Sequence, residues 1–102
     1  MKGYEGGSVM KHFIIVKWKD PVAMKPELPA IEALFRETLS IPGIRSVDVH
    51  PSCSDRANRY DLMIEIGMDA EALPAYDACE PHRVWKERYG ESIAQKAIFD
   101  CE

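Results

Sequence analysis

Three side chains capable of acid–base or nucleophilic chemistry lie close together in the sequence: the phenol of Tyr76, the thiol of Cys79 and the imidazole of His82. Pro81 favours a helix start just before His82, because its ring fixes a helical φ and its missing N–H would have no partner there. His82 would then lie in the first helical turn, beside unpaired N–H groups and the positive end of the helix dipole. This setting disfavours imidazolium, so we expect a neutral His82 that can accept a proton.

The chemistry that these residue types allow is general acid–base catalysis. A neutral His82 would take a proton from an acidic C–H or O–H, while the Tyr76 hydroxyl donates to a developing enolate oxygen. In the alternative interpretation, His82 hydrogen-bonds the helix start and Tyr76 fills the core. His12, on the first predicted strand, has the same two interpretations, as a third member of the site or as a buried core histidine. Cys79 follows no nucleophile motif.

Composition limits the classes of protein that the chain can belong to. Its 102 residues are 46% apolar and 29% charged, as in a single globular domain, and the net charge of −4 argues against a nucleic-acid partner. There is neither an apolar run of membrane-spanning length nor an apolar signal segment, so we expect no membrane association. Three cysteines without CxxC spacing indicate reduced thiols and a cytoplasmic location. No recognised ligand spacing indicates a metal, and we expect no cofactor.

The hydrophobic pattern predicts a glycine-rich flexible arm over residues 1–9, followed by one domain over residues 10–102. Alternating residues predict strands, spacings of three and four predict helices, and prolines mark the helix starts. A helix after the third strand is capped by Asp69 or, because Pro74 is unsuited to a helix interior, begins at Leu73. The other predicted elements are strands over 10–19, 44–50, 59–68 and 95–102, and helices from Pro26 and Pro29 to Leu39 and from Pro81 to Tyr89.

The order strand, helix, strand, strand, helix, strand predicts a ferredoxin-like βαββαβ fold of the α+β class. In this fold a four-stranded antiparallel sheet carries both helices on one face. The other face would expose Phe13, Ile15 and Met63, so we expect another sheet to cover them. A homodimer with two sheets packed face to face is the simplest closed arrangement.

Several segments, taken in order, resemble the stress-responsive A/B barrel domain (Dabb) family over essentially the whole chain from Met10 onward. The segments are Lys11-His12-Phe13-Ile14-Ile15-Val16-Lys17-Trp18-Lys19, Ile41-Pro42-Gly43-Ile44-Arg45-Ser46-Val47, Arg59-Tyr60-Asp61-Leu62, Ala75-Tyr76 through Pro81-His82, and Ile98-Phe99-Asp100. The resemblance implies a homodimeric α+β barrel, mostly without assigned activity. A few plant members are similar to polyketide cyclases, which close a poly-β-keto chain with a pocket His and Tyr and without metal or cofactor.

The resemblance also implies a set of site residues. Tyr76, His82 and His12 match positions in the cyclase-type pocket, and Trp85 falls where a wall aromatic lies. The chain departs from the cyclase pattern at Leu62, where that type has His, and at Leu34, where Tyr can occur. Of the usual His-Pro-Ala-His run, Cys79-Glu80-Pro81-His82 keeps only the last histidine, so part of the polar surroundings is lost. The expected ligand-binding lining is Ile14, Leu34, Leu62 and Trp85.

Two functions therefore stay open. The first is a cofactor-independent enzyme that acts on a small carbonyl or polyketide-like molecule in a pocket between helices and sheet. The second is a non-catalytic, stress-associated homodimer whose pocket binds a small apolar ligand or is filled by side chains. RNA-recognition modules share the element order, but the open face of the third strand would carry Asp61, Met63 and Glu65 and no stacking aromatic, which excludes that class.

Overall fold

The computed structural model describes residues 8–102, so most of the predicted arm lies outside the described residues. The ferredoxin-like fold is confirmed, with eight helices and strands joined by short 3₁₀ turns within the described part. The strands are β1 (Val9–Trp18), β2 (Ile44–Pro51), β3 (Leu62–Asp69) and β4 (Ile93–Cys101), and the helices are α1 (Pro21–Met24), α2 (Leu28–Arg36), α3 (Leu73–Asp77) and α4 (Glu80–Tyr89).

The four strands form one antiparallel sheet in the order β2-β3-β1-β4. In the register of this sheet, His12 lies opposite Ile66 on β3 and Asp100 on β4. Phe13, on the other face, lies opposite Glu65 and Phe99. The first strand is therefore central, and the fourth is an edge strand beside it.

The core lies between the sheet and the helices. Side chains of β1 and β3 alternate in burial, so that Ile14, Val16, Ile64 and Ile66 are at most 1% exposed. The helices contribute a second layer that includes Ile31, Phe35, Tyr76 and Trp85. Each such side chain contributes roughly 1.5–3 kcal/mol on burial, which makes this layer the main source of stability.

The first helical region starts elsewhere than predicted, and the helix after β3 decides between its two predicted starts. The first helical region begins earlier than Pro26, with α1, because Asp20 caps it by accepting a hydrogen bond from the N–H of Ala23 at 3.2 Å. Asp69 does not cap the next helix: its carboxylate accepts two hydrogen bonds from the Arg45 guanidinium instead. α3 begins at Leu73, which places Pro74 in its first turn and confirms the alternative start.

Two strands also begin at other residues than the sequence predicts. β1 begins at Val9, and β3 begins at Leu62 rather than near Arg59. The reason at β3 is Asp61, whose backbone N–H donates to Val16 while its carboxylate accepts the N–H of Trp18 at 2.7 Å. Asp61 thus ends the strand pairing instead of extending it.

The open face of the sheet carries apolar side chains, as expected. Phe13, Ile15 and Met63 are half-buried, and Phe99 is 58% exposed. Glu65 lies among them, bonded to Lys11 at 3.4 Å and to His50 at 3.1 Å.

Within residues 8–102, no helix is long and apolar enough to cross a membrane. The cysteines are all free thiols, with Cys53 exposed and the other two half-buried.

Candidate functional site

Tyr76 is the centre of the candidate site. It lies on α3, and the chain then turns so that α4 begins at Glu80, with Pro81 in its first turn. The backbone N–H of Cys79 donates to the carbonyl of Tyr76 at 3.1 Å, which closes the turn between the two helices. The break therefore brings Tyr76 and His82 onto one side of the helix pair, as the position of Pro81 predicts.

Two imidazoles flank the Tyr76 ring. The His12 ring lies edge-on to it with centroids 5.2 Å apart, and the His82 ring is tilted at 4.9 Å. Tyr76 is 1% exposed and His12 is 6% exposed, whereas His82 is half-buried. The structure thus places the three residues with predicted catalytic roles in one cluster, which we call the Tyr76 cluster (His12, Tyr76 and His82).

The hydrogen bond of His82 defines its proton arrangement. Its Nδ1 lies 3.0 Å from the carbonyl oxygen of Asp77. Because a carbonyl only accepts, Nδ1 carries the hydrogen, and in the neutral ring Nε2 keeps its lone pair. Burial lowers the pKa of His82, and nearby Lys86 lowers it further, although the Asp77 carbonyl opposes both. The predicted direction of the pKa shift agrees, but its main cause is burial rather than the helix start.

His12 is held by a residue that sequence reasoning assigned no role. Its Nδ1 lies 2.5 Å from Oδ1 of Asp100, a carboxylate that is 44% exposed on β4. The carboxylate accepts, so Nδ1 of His12 donates. Asp100 follows from the register between β1 and β4, and the alternating pattern of β4 alone does not reveal it.

The hydroxyl of Tyr76 is buried and has no hydrogen-bond partner within the described residues. Burial raises the pKa of Tyr76 far above its ordinary value, with smaller contributions from Cys79 and Asp77. The phenol therefore stays protonated and is a donor without an acceptor. Such a group costs about 1–3 kcal/mol of stability, which a ligand oxygen could recover.

The residues with predicted ligand-binding roles are buried core side chains. Ile14, Leu34, Leu62 and Trp85 are between 1% and 6% exposed. Trp85 lies against Phe35, with centroids 5.0 Å apart, and against Trp18 at 6.2 Å. These side chains are part of the core between the helices and the sheet.

The described part of the chain has clefts that include the following two, neither of which is lined by the Tyr76 cluster. The larger has a volume of about 650 Å³ and lies between the end of β1, α1 and the loop before β3. Of the predicted ligand-binding residues, only Leu62 lines it. The second is a shallow depression near Gly43 and Ala72. Across residues 8–102, no three His, Cys, Asp or Glu side chains are grouped to hold a metal ion.

Comparison with known proteins gives a likeness of fold. No family model matches the chain, and no curated protein matches its sequence. A dimeric ferredoxin-like protein of unknown function from Thermobifida fusca superposes with a TM-score of 0.79 and 16% identity, over 96% of this chain and 93% of that one. A Dabb family protein from Mesorhizobium loti gives 0.69 and 13%, over 92% and 95%.

A third similar structure is a hydroxynitrile lyase from Passiflora edulis, with a TM-score of 0.72 and 11% identity over 92% of both chains. The structural neighbours thus include a Dabb protein, and the resemblance seen in the sequence extends to the fold of the whole domain.

Proposed function

We propose that this chain is a Dabb-type homodimer that binds a small carbonyl or polyketide-like molecule at the Tyr76 cluster and moves a proton there without a cofactor. The observation that carries the proposal is the buried, unpartnered hydroxyl of Tyr76, whose ring contacts two imidazoles. The hydroxynitrile lyase supports it by analogy, as an enzyme built on the same fold. The free cysteines support a reducing, cytoplasmic location.

The proposed step is proton abstraction next to a carbonyl. Nε2 of His82 takes a proton from the carbon, the C–H electron pair shifts to the carbonyl oxygen, and the Tyr76 hydroxyl donates to the resulting enolate. A neutral His82 and a protonated Tyr76 are the forms that this step needs, and burial favours both. Asp100 would hold the His12 ring in place, as a positioning residue.

Isotope exchange tests this step directly. A panel of small ketones and β-keto esters in D₂O is followed by proton NMR for loss of the hydrogens next to the carbonyl. We expect exchange faster than in buffer, and losses of about 10²- to 10⁴-fold in His82→Ala and Tyr76→Phe. His50→Ala is the matched control, since His50 lies on the open face, bonded to Glu65.

A second function has its own observation. Because Ile14, Leu34, Leu62 and Trp85 are all buried in the core, we alternatively propose a non-catalytic homodimer whose pocket is filled by side chains. A thermal-shift screen of the same compounds on wild type and His82→Ala separates the two. Stabilisation of wild type alone supports binding at the cluster, whereas wild-type exchange no faster than buffer, without any thermal shift, leaves the non-catalytic function.

The homodimer is common to both functions. The proposed interface is the open face with Phe13, Ile15 and Met63, and the Thermobifida protein described as dimeric supports it. Phe13→Asp should weaken assembly by several kcal/mol, because it buries an unpaired carboxylate. Sedimentation equilibrium measures the mass, with Val22→Asp on α1 as the control because Val22 is 74% exposed. A wild-type mass of one chain at micromolar concentration would contradict the proposal.

A further inference from the structure

The larger cleft has two chemically different walls. One wall is formed by the end of β1, α1 and the start of α2, and it presents Trp18, Met24 and Leu28. The other is the loop between β2 and β3, which presents mainly polar side chains. A volume of about 650 Å³ lies in the range of small-molecule sites.

The apolar wall combines buried, half-buried and exposed side chains. Trp18 is 7% exposed, Met24 and Leu28 are half-buried, and Val22 at the rim is 74% exposed. An aliphatic chain placed here would remove this apolar area from water, and the unbranched Met24 can adapt to its shape.

The polar wall is fixed before any ligand arrives. Nζ of Lys17 donates to the carbonyls of Ala57 and Arg59, each at 2.8 Å, and the N–H of Ser52 donates to the carbonyl of Asp61 at 2.9 Å. The Lys17 bonds hold the middle of the loop against β1, and the bond between Ser52 and Asp61 joins the two ends of the loop. The cleft is therefore preformed, which reduces the ordering cost of binding.

The charges that remain available in the cleft are mainly positive. Lys17 and Asp61 are engaged by the hydrogen bonds of the loop and of Trp18. Lys25 and Arg56 line the cleft and form no ion pair within residues 8–102, whereas Asp55 is the single further acid in the lining. The local excess of positive charge in the cleft favours the binding of an anion there. It contrasts with the whole chain, whose net charge is −4.

We propose that the cleft binds a small amphipathic carboxylate, of the medium-chain fatty-acid class, with its chain on Trp18, Met24 and Leu28 and its carboxylate between Lys25 and Arg56. The proposal is independent of proton transfer at the Tyr76 cluster. That cluster is near the start of β1, whereas Trp18 is at its end.

Calorimetric titration with decanoate, decanol and decyltrimethylammonium tests the charge preference. We expect saturable binding of decanoate, weaker binding of decanol and the weakest binding of the cation. The double variant Lys25→Gln/Arg56→Gln should weaken decanoate about three- to tenfold, the size expected for exposed charge pairs, and should leave decanol unchanged. The control is Lys86→Gln/Lys96→Gln, which removes the same charge outside the cleft, beside His82.

Cys53 gives a second readout, because its exposed thiol lines the cleft. Decanoate should slow the reaction of Cys53 with a thiol reagent and leave Cys101 unaffected. The proposal is overturned if decanoate does not saturate, if decanol or the cation binds as tightly, if Cys53 is not protected, or if the control variant weakens binding instead. The last result would place decanoate beside His82.

Discussion

The two ends of the helix-covered face differ in whether they hold reactive side chains or an open cleft. At the start of β1, the Tyr76 cluster brings two imidazoles and a buried phenol together, and neither of the two clefts described above is lined by these residues. At the end of β1, a cleft of about 650 Å³ is open, but no acid–base cluster lies in it. The ends are roughly 20 Å apart, since β-strands rise about 3.3 Å per residue. Reactive groups and free space are therefore separated along one strand, and each half can be tested alone.

The largest expected effect concerns packing. Leu34→Ala, in the packed core, should lower the free energy of unfolding by about 2–5 kcal/mol, because the loss of a buried leucine side chain leaves a cavity. Leu28→Ala is the matched change on the same helix. Leu28 is half-buried beside the cleft, so its loss should be about 1 kcal/mol. Urea unfolding measures both, and equal losses would contradict the contrast between the packed core and the open cleft.

The second prediction is that removing the hydroxyl of two different tyrosines changes the free energy of unfolding in opposite directions. Tyr76→Phe removes a hydroxyl that has no partner in the described residues, so it should raise the free energy of unfolding by roughly 1 kcal/mol. Tyr89→Phe removes a hydroxyl that donates to Glu27 at 3.2 Å, so it should lower that free energy by about the same amount. If Tyr76→Phe instead destabilises the protein, the hydroxyl has a partner in solution that the described residues do not supply.

A smaller effect depends on pH. Burial holds the pKa of His82 below its ordinary value of 6.5 in the folded protein. Below pH 6.5 the unfolded chain then binds more protons than the folded one, so the free energy of unfolding should fall as the pH falls further. This part of the acid sensitivity should disappear in His82→Asn. An NMR titration checks the pKa itself, and a value above 6.5 would remove His82 as the base.

The last prediction concerns the reactivity of the cysteines rather than the stability of the fold. Cys53, exposed at the cleft end, should react with a thiol reagent faster than the half-buried Cys79, which lies beside Tyr76, and faster than Cys101. Mass spectrometry of a timed reaction gives the order. Faster labelling of Cys79 would indicate that the core beside Tyr76 opens in solution.

Local sequence patterns predicted that Tyr76 and His82 lie together and that His12 is on the helix-covered face, whereas the grouping of all three followed from the resemblance to the Dabb family. The position of Pro81 is enough to expect a chain break that places Tyr76 and His82 together, because proline acts on the residues next to it. The alternation in β1 places His12 on the same face as Ile14. Both inferences use short separations, over which backbone geometry is nearly fixed.

The remaining features depend on packing and register. Asp100 reaches His12 across 88 residues, through a strand register that no local pattern of β4 specifies. The burial of the predicted pocket lining depends on how Leu34 and Trp85 pack together with their neighbours, and residue spacing does not determine that. The cleft depends on Asp61 ending the strand pairing at β3, although its sequence position fits a strand.

The central position of β1 in the sheet also affects how the domain folds during translation. β1 is synthesised first, yet its two partners in the sheet are β3 and β4, at residues 62–69 and 93–101. Until those residues leave the ribosome, an apolar strand that includes Phe13, Ile14 and Ile15 has unpaired backbone on both sides. Such a segment is prone to aggregation until β3 and β4 have been synthesised and can pair with it. Chaperone demand during translation should therefore be set by how soon β3 and β4 follow β1.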